Sequence, residues 1–357
     1  MKAAVFHEVG KPVSVEDVTV RAPEEGEVRV AIRAAGLCHS DVSAIDGTYP
    51  TPRPTVMGHE GAGIVEAVGP GVKTLREGDS VVLSTLAHCG QCPACDVGHP
   101  TVCHHPPRPS TPFTVRGTPA FNFANASTFA ELTVVRASSE IRVPAAIPMP
   151  QAALIGCGII TGVGAVLNRA RVEAGSTMVV FGTGGIGLNV IQGGVLAGAG
   201  RIIAVDLLPA KLELARAFGA TDLVDGREGD PVAQVKDLTG GRGAEYAFEA
   251  VGHLEAIRQA FACLAPGGTL VVVGVPRLDA RAEFVVNALR VDRGILGCRY
   301  GTARPQHDFP MLADLYLRGR LKIDELITRH YRIDDVNHAI EDLERGELAR
   351  GVFDLTA

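Results

Sequence analysis

From Val13 to about Val135 the hydrophobic positions fall in short β-branched segments separated by glycine and proline. Val28-Arg29-Val30-Ala31-Ile32 and Gly63-Ile64-Val65-Glu66-Ala67-Val68 are of this kind, and Gly78-Asp79-Ser80-Val81-Val82-Leu83 reads as a strand entered through a turn. Such segments bounded by turn residues, with no long helical period, predict a mainly β domain in this half. From about Cys157 strands alternate with helical stretches, the pattern of a parallel doubly wound sheet. Strands are predicted at Ser176–Phe181, Arg201–Asp206, Asp222–Val224, Ala244–Phe248, Thr269–Val273 and Gly294–Cys298. The helices between them are predicted up to about Ala197 and at Pro209–Phe218, Pro231–Leu238 and Leu254–Leu264. A helical Asp334–Leu343 and a strand-like Gly351–Leu355 close the chain, which is expected to return there to the first domain. The fold class expected is α/β, with a β domain over 1–156 and 299–357 and an α/β domain over 157–298.

At 357 residues, 46% hydrophobic and 21% charged with a net charge of −6, the chain reads as a two-domain soluble protein. It has no basic stripe to attract nucleic acid. The N-terminus MKAAVFHEVGKPV has no apolar core of a leader, and the apolar runs are interrupted by glycine or charge before about 18 residues. No membrane segment and a cytoplasmic location are expected. Five of the eight cysteines lie between 38 and 103, which in such a chain points to metal rather than to disulfides.

Four of these, Cys89, Cys92, Cys95 and Cys103, sit within 15 residues in a Gly- and Pro-rich segment. Four thiolates closing on zinc would supply the folding energy such a loop lacks and leave no position for substrate, so this is read as a structural site. His88, His99, His104 and His105 are then surplus and are expected to be exposed. Cys38 and His59 form a sparser pair. On spacing alone they read equally as a buried cysteine and a loop histidine, or as two zinc ligands short of a third.

Gly182-Thr183-Gly184-Gly185-Ile186-Gly187 follows a predicted strand, opens a helix, and precedes Asp206 by 19 residues. Its glycines permit a tight turn and close approach of a pyrophosphate to the helix N-terminus, which makes this the Rossmann dinucleotide fingerprint. Asp206 is expected to accept from ribose hydroxyls. Leu207 and Leu208 follow it instead of a cation, which predicts NAD over NADP. Gly193 and Gly194 within the helix are each expected to cost about 1 kcal/mol, accepted for close helix–sheet packing.

Gly36-Leu37-Cys38-His39-Ser40-Asp41, Gly58-His59-Glu60-Gly61-Ala62-Gly63, the four-cysteine lobe, Leu154-Ile155-Gly156-Cys157-Gly158 and the glycine-rich loop together resemble the zinc-dependent medium-chain alcohol dehydrogenases over essentially the whole chain. The resemblance implies a GroES-like β domain beside the Rossmann domain. It implies two zincs per chain, and Cys157 as the third ligand of a catalytic one with Cys38 and His59. Asp41 would hold the other nitrogen of His59, Glu60 would lie behind the metal, and Ser40 would relay the substrate proton. His39 and Arg350 would contact the pyrophosphate, and Lys211 the adenosine ribose. Thr161 and Val275 would also meet the cofactor. Taken alone, His39 and Arg350 read as surface charges and Lys211 as a solvated first-turn residue. The proton path departs from the family pattern, since Ser43 stands where many relatives carry a histidine.

By position Tyr49, Thr85, Phe123 and Leu296, with Val275, should line the substrate pocket, and Thr85 replaces a bulky ring of many relatives. The reading is a reversible NAD-dependent alcohol dehydrogenase for primary, secondary or aromatic alcohols, working as a homodimer, with a tetramer as the alternative. A rival is oxidation of the formaldehyde adduct of glutathione or mycothiol, for which only Arg53 and Arg116 offer cationic anchors near the pocket mouth. A non-catalytic dinucleotide sensor is disfavoured, because it has no use for Cys38, His59, Cys157 and Ser40 together.

Overall fold

The computed structural model describes residues 1–355. Its contacts separate two units, Met1–Gly158 with the chain from Arg304 on, and Ile159–Ala303. Cys157, expected on the dinucleotide side, therefore groups with the first unit.

In that unit, Lys2–Phe6, Ser14–Val20, Phe113–Val115, Thr118–Asn122 and Thr55–Val56 close a small barrel. A seven-stranded sheet accompanies it, in the order Glu140–Arg142, Ser80–Leu83, Glu60–Val68, Glu27–Leu37, Arg350–Asp354, Ile327–Tyr331, with Leu132–Arg136 also paired to Glu27–Leu37. The eleven-residue strand Glu27–Leu37 organises this sheet, because most of its residues are buried and both flanks are paired. Val28, Val30, Ile32 and Leu37 join Phe129 and Phe353 in one core, where the two phenyl rings meet edge-on at 4.8 Å. Each fully buried ring of that size contributes about 2–3 kcal/mol. Register then sets up chemistry. Gly36 lies opposite Glu60 on one side, and Leu37 lies opposite Gly351 on the other. The end of this strand is thus flanked by His59-Glu60 and by Arg350.

The second unit is a six-stranded sheet, Asp222–Asp225, Arg201–Asp206, Thr177–Phe181, Ala244–Glu249, Leu264–Val272, Gly294–Gly297, with every pairing parallel. In chain order this is 3-2-1-4-5-6, the Rossmann arrangement. The helices Gly185–Ala197, Pro209–Ala217, Pro231–Leu238 and Leu254–Ala262 connect its strands. The α/β expectation, with a GroES-like and a Rossmann-type part, is met. Gly193 and Gly194 have the anticipated cause. A Cβ on Gly193 would press on Val166 and Val163, and one on Gly194 on Met178 and Ile202 of the sheet.

Two helices depart from the sequence expectation. Met149–Ala170 is continuous for 22 residues, so glycines that read as interruptions do not break it, and most of its apolar stretch is buried. It is the one helix among the described residues long and apolar enough to cross a membrane, and its burial gives it the character of a core helix. Gly162 and Gly164 admit the backbones at Ile186 and Gly301 to close contact. Pro305–Leu317 carries Pro310 within it, and this masked its period.

Candidate active site

Cys38 is the N-cap of the helix His39–Ile45, and Asp41 sits at the third helical position. One carboxylate oxygen of Asp41 accepts from the Cys38 amide at 3.1 Å, and the other receives His59 Nδ1 at 3.0 Å. A single buried side chain thus fixes both the start of the helix and the orientation of the imidazole. His59 enters through Gly58, whose φ of +87° suits glycine and whose missing Cβ would collide with Phe129. The Phe123 ring and the imidazole meet in a T-shaped arrangement with centroids 5.7 Å apart. His59 Nε2 is buried and has no hydrogen-bond partner.

Cys157 lies in the middle of a wide π-helical turn, Ile155–Ile159, a feature that often marks functional sites. The glycines beside it are steric necessities, since a Cβ on Gly156 would meet the carbonyl of Leu83 and one on Gly158 the guanidinium of Arg350. Ligand atoms of Cys38, His59, Glu60 and Cys157 all lie within 4.8 Å of one another. Two soft thiols, an imidazole with a free buried nitrogen, and a carboxylate fit zinc in donor type and spacing.

Titration follows from this crowding. The Cys157 thiol donates to Cys38, which holds Cys38 well below and Cys157 well above the ordinary thiol range. Burial opposes charge on His59, but Asp41 and Cys38 raise it well above its usual value. A divalent cation reverses that balance, because it competes with protons for thiolate and imidazole. Burial lifts Glu60 to about 8 against the pull of Arg350.

Arg350 departs from one of its readings, that of a surface charge. It is 4% exposed, donates to Glu60 Oε1 at 2.9 Å, and lies 3.4 Å from the Leu37 carbonyl. It is not a surface charge, because the strand register seats it beside Glu60. Glu60 Oε2 remains buried without a partner, in space that Gly36 leaves by lacking a Cβ. His39 is exposed in the first helical turn. Ser40 Oγ lies 3.9 Å from Cys38 Sγ. Tyr49, Thr85 and Phe123 are half-buried. Burial first, then charge on Cys38 and Cys157, raises the Tyr49 hydroxyl.

In the lobe, Sγ atoms are 3.5 Å apart for Cys92–Cys95 and Cys89–Cys103, and 3.9 Å apart for Cys92–Cys103. The amides of Cys89 and His104 donate to Cys103 and Cys92. The donation from His104 leads in lowering Cys92 to about 5, and burial raises Cys95 to about 12. His99, His104 and His105 are exposed, whereas His88 is half-buried, with Nδ1 3.3 Å from the Leu86 carbonyl.

In the second unit, Thr177–Phe181 leads through Gly182, φ +86°, into the helix Gly185–Ala197. The N-cap, Gly184, offers no side-chain cap, so the first-turn N–H groups are left for an anion. A Cβ on Gly187 would fall on the Gly182 carbonyl, and Ile186 is half-buried between them. Asp206 Oδ2 accepts from Thr183 N at 2.7 Å and Thr183 Oγ1 at 2.9 Å, while Oδ1 accepts from the amides of Leu207 and Leu208. The carboxylate braces the phosphate turn, a use its position in sequence did not disclose. Thr161, Lys211 and Leu296 are half-buried, and Val275 is exposed.

Residues 24–145 match the family described as alcohol dehydrogenase GroES-like domain, and residues 185–318 match zinc-binding dehydrogenase. The chain is 37% identical to an NDMA-dependent alcohol dehydrogenase of Amycolatopsis methanolica, covering 99% of this chain and 98% of that one. It is also 37% identical to an S-(hydroxymethyl)glutathione dehydrogenase of Paracoccus denitrificans, with 98% of each covered. The crystal structure of benzyl alcohol dehydrogenase from Acinetobacter calcoaceticus superposes with a TM-score of 0.93 at 35% identity, over 99% of this chain and 98% of that one. With these full-length relatives, the thiol–imidazole cluster and the dinucleotide turn, the chain belongs to the zinc-dependent medium-chain alcohol dehydrogenase family and is an oxidoreductase.

Proposed function

We propose that the protein interconverts alcohols and their aldehydes or ketones with NAD. Zinc would be held by Cys38, His59 and Cys157, and a second zinc by Cys89, Cys92, Cys95 and Cys103. The observation that carries this reading is the buried, unpartnered His59 Nε2 beside two thiols, with Nδ1 tied to Asp41. When bound, zinc lends Lewis acidity to the substrate oxygen, and the nicotinamide lends hydride capacity. The protein's part is orientation and proton handling. Asp41 fixes the tautomer that keeps Nε2 free for a ligand bond. Ser40, next to Cys38, takes the substrate proton, and with Ser43 in place of a histidine the onward path runs through His39 or water. Tyr49 and Phe123 supply apolar walls, and Thr85 leaves room for secondary or aromatic alcohols.

NAD is favoured over NADP. A 2′-phosphate near Asp206 would meet carboxylate on two strands, since Asp225 lies opposite Asp206 in register, and Arg227 is already paired to Asp225. The glutathione- or mycothiol-adduct reading draws on the Paracoccus relative. Against it, Arg116, although exposed, is already engaged by Glu16 at 2.7 Å. Dimerisation is proposed through the edge strand Gly294–Gly297, which pairs on one side only and follows exposed Val285 and Val286. Eight unpaired thiols suit the reducing cytoplasm.

The test is a panel of alcohols and carbonyls with NAD(H) and NADP(H), including formaldehyde with and without each thiol. Turnover of aromatic or secondary alcohols with NAD supports the proposal. Turnover confined to formaldehyde plus a thiol replaces it with the second reading, and a higher kcat/KM with NADP overturns the cofactor assignment.

A further inference from the structure

Glu249 ends the strand Ala244–Glu249, next to Thr177–Phe181 in the sheet, and pairs in register with Phe181 just before the phosphate turn. On the far side of Thr177–Phe181, Asp206 ends its own strand. A dinucleotide with its pyrophosphate at the central turn would extend its adenosine towards Asp206 and its other nucleoside towards Glu249.

The Glu249 side chain is fully buried. Oε1 accepts from the amides of Val251 and Gly252 at 2.8 and 2.7 Å, and Oε2 has no hydrogen-bond partner. The Glu249 carbonyl accepts from Val273 and Gly274 at 2.8 and 2.9 Å, so this one residue ties together the two loops that leave adjacent strands. These loops touch backbone to backbone. A Cβ on Gly252 would lie 2.7 Å from the Val275 carbonyl, and one on Gly274 would lie 2.8 Å from Glu249 Oε2. Val251 in turn fills the space beside Gly182 that a side chain there would need. Val251 and Val275 are each 57% exposed, an apolar pair at the carboxyl ends of strands where doubly wound sheets bind ligands. Burial raises the carboxyl of Glu249, and the backbone donors pull it back. A buried acid with one idle oxygen is a poor choice for stability alone.

Resting on the dinucleotide reading, we propose that Glu249 is a positioning residue for the nicotinamide half of the cofactor site. It holds the Val251 and Val275 loops at the height at which they support that half.

The experiment titrates the full-length protein with NADH and with AMP, which probes the adenosine half alone. Glu249→Ala should weaken NADH by about tenfold or more and leave AMP within about twofold, since two loop amides lose their acceptor. Glu249→Gln, whose amide oxygen can still accept, should recover most of the NADH affinity. Should Glu249→Ala not fold, Gly274→Ala pushes a methyl into the same contact from the other loop and should give the same selective loss. Equal weakening of both probes, or no change in either, overturns the proposal while the cofactor reading stands. A parent protein that binds neither probe overturns both.

Discussion

Asp41→Asn tests whether one carboxylate sets both the helix start and the imidazole. The parent oxygens accept from Cys38 N at 3.1 Å and His59 Nδ1 at 3.0 Å, with Asp41 fully buried and His59 3% exposed. Asparagine fits the same space but offers one acceptor and one donor, so one of the two N–H groups must face an N–H. If the carbonyl stays with Cys38, the His59 proton is driven to Nε2, the nitrogen that faces the thiols. Losing such an orienting partner costs about 10–100-fold in metal affinity, or about 1.4–2.7 kcal/mol. If the carbonyl turns to His59, the cap is lost at about 1 kcal/mol of stability. Zinc retention against a graded chelator, read beside thermal unfolding, separates the branches. The expected result is that one zinc equivalent becomes labile while the lobe keeps its own. Zinc affinity within about threefold of the parent, together with an unchanged melting temperature, would refute the reasoning.

Other outcomes follow from single contacts. Gly158→Ala places a methyl on the Arg350 guanidinium and should break its buried pair with Glu60, costing about 3 kcal/mol in urea unfolding; a cost below about 1 kcal/mol would show that Arg350 has room to move. Glu140 is buried with both oxygens unpartnered, and burial raises it well above 4.5, so folding favours its protonated form. Its contribution to stability is whole below pH 4.5 and is lost as pH climbs towards the folded value, at up to about 1.4 kcal/mol per unit. The melting temperature of Glu140→Gln should therefore fall less than the parent's as pH rises from 4.5, and parallel curves would count against a desolvated acid there. Cys92→Ser should remove one zinc per chain and expose residues 89–103 to limited proteolysis while Cys38, His59 and Cys157 keep theirs. Unchanged zinc content would dismiss the lobe as a metal site.

The four-cysteine lobe and the Gly182 turn were legible because their parts are neighbours in sequence, so spacing alone limits what they can build. The strands around Val30 and Val179 were legible for the same reason, since alternation and continuous apolar runs are local signals. Glycines misled where they were read as breaks. In Met149–Ala170 they are the points at which other segments come within contact. Arg350 gave no local sign of its partner, because Glu60 lies 290 positions away. Asp206 was legible as a strand-ending acid, but its hold on Thr183 was not, because that contact depends on how two strands align.

By itself the sequence determined the two kinds of domain, the lobe and the phosphate turn. These rest on periodicity and on residues close along the chain. Only the tertiary structure decided that Leu37 would end between Glu60 and Arg350, that Asp41 would cap a helix and hold His59 with one carboxylate, and that Glu249 would lie beneath two loops. The reason is strand register. A shift of one residue along Glu27–Leu37 would present different side chains at its end, and no local pattern of hydrophobic and polar residues specifies which neighbour stands opposite.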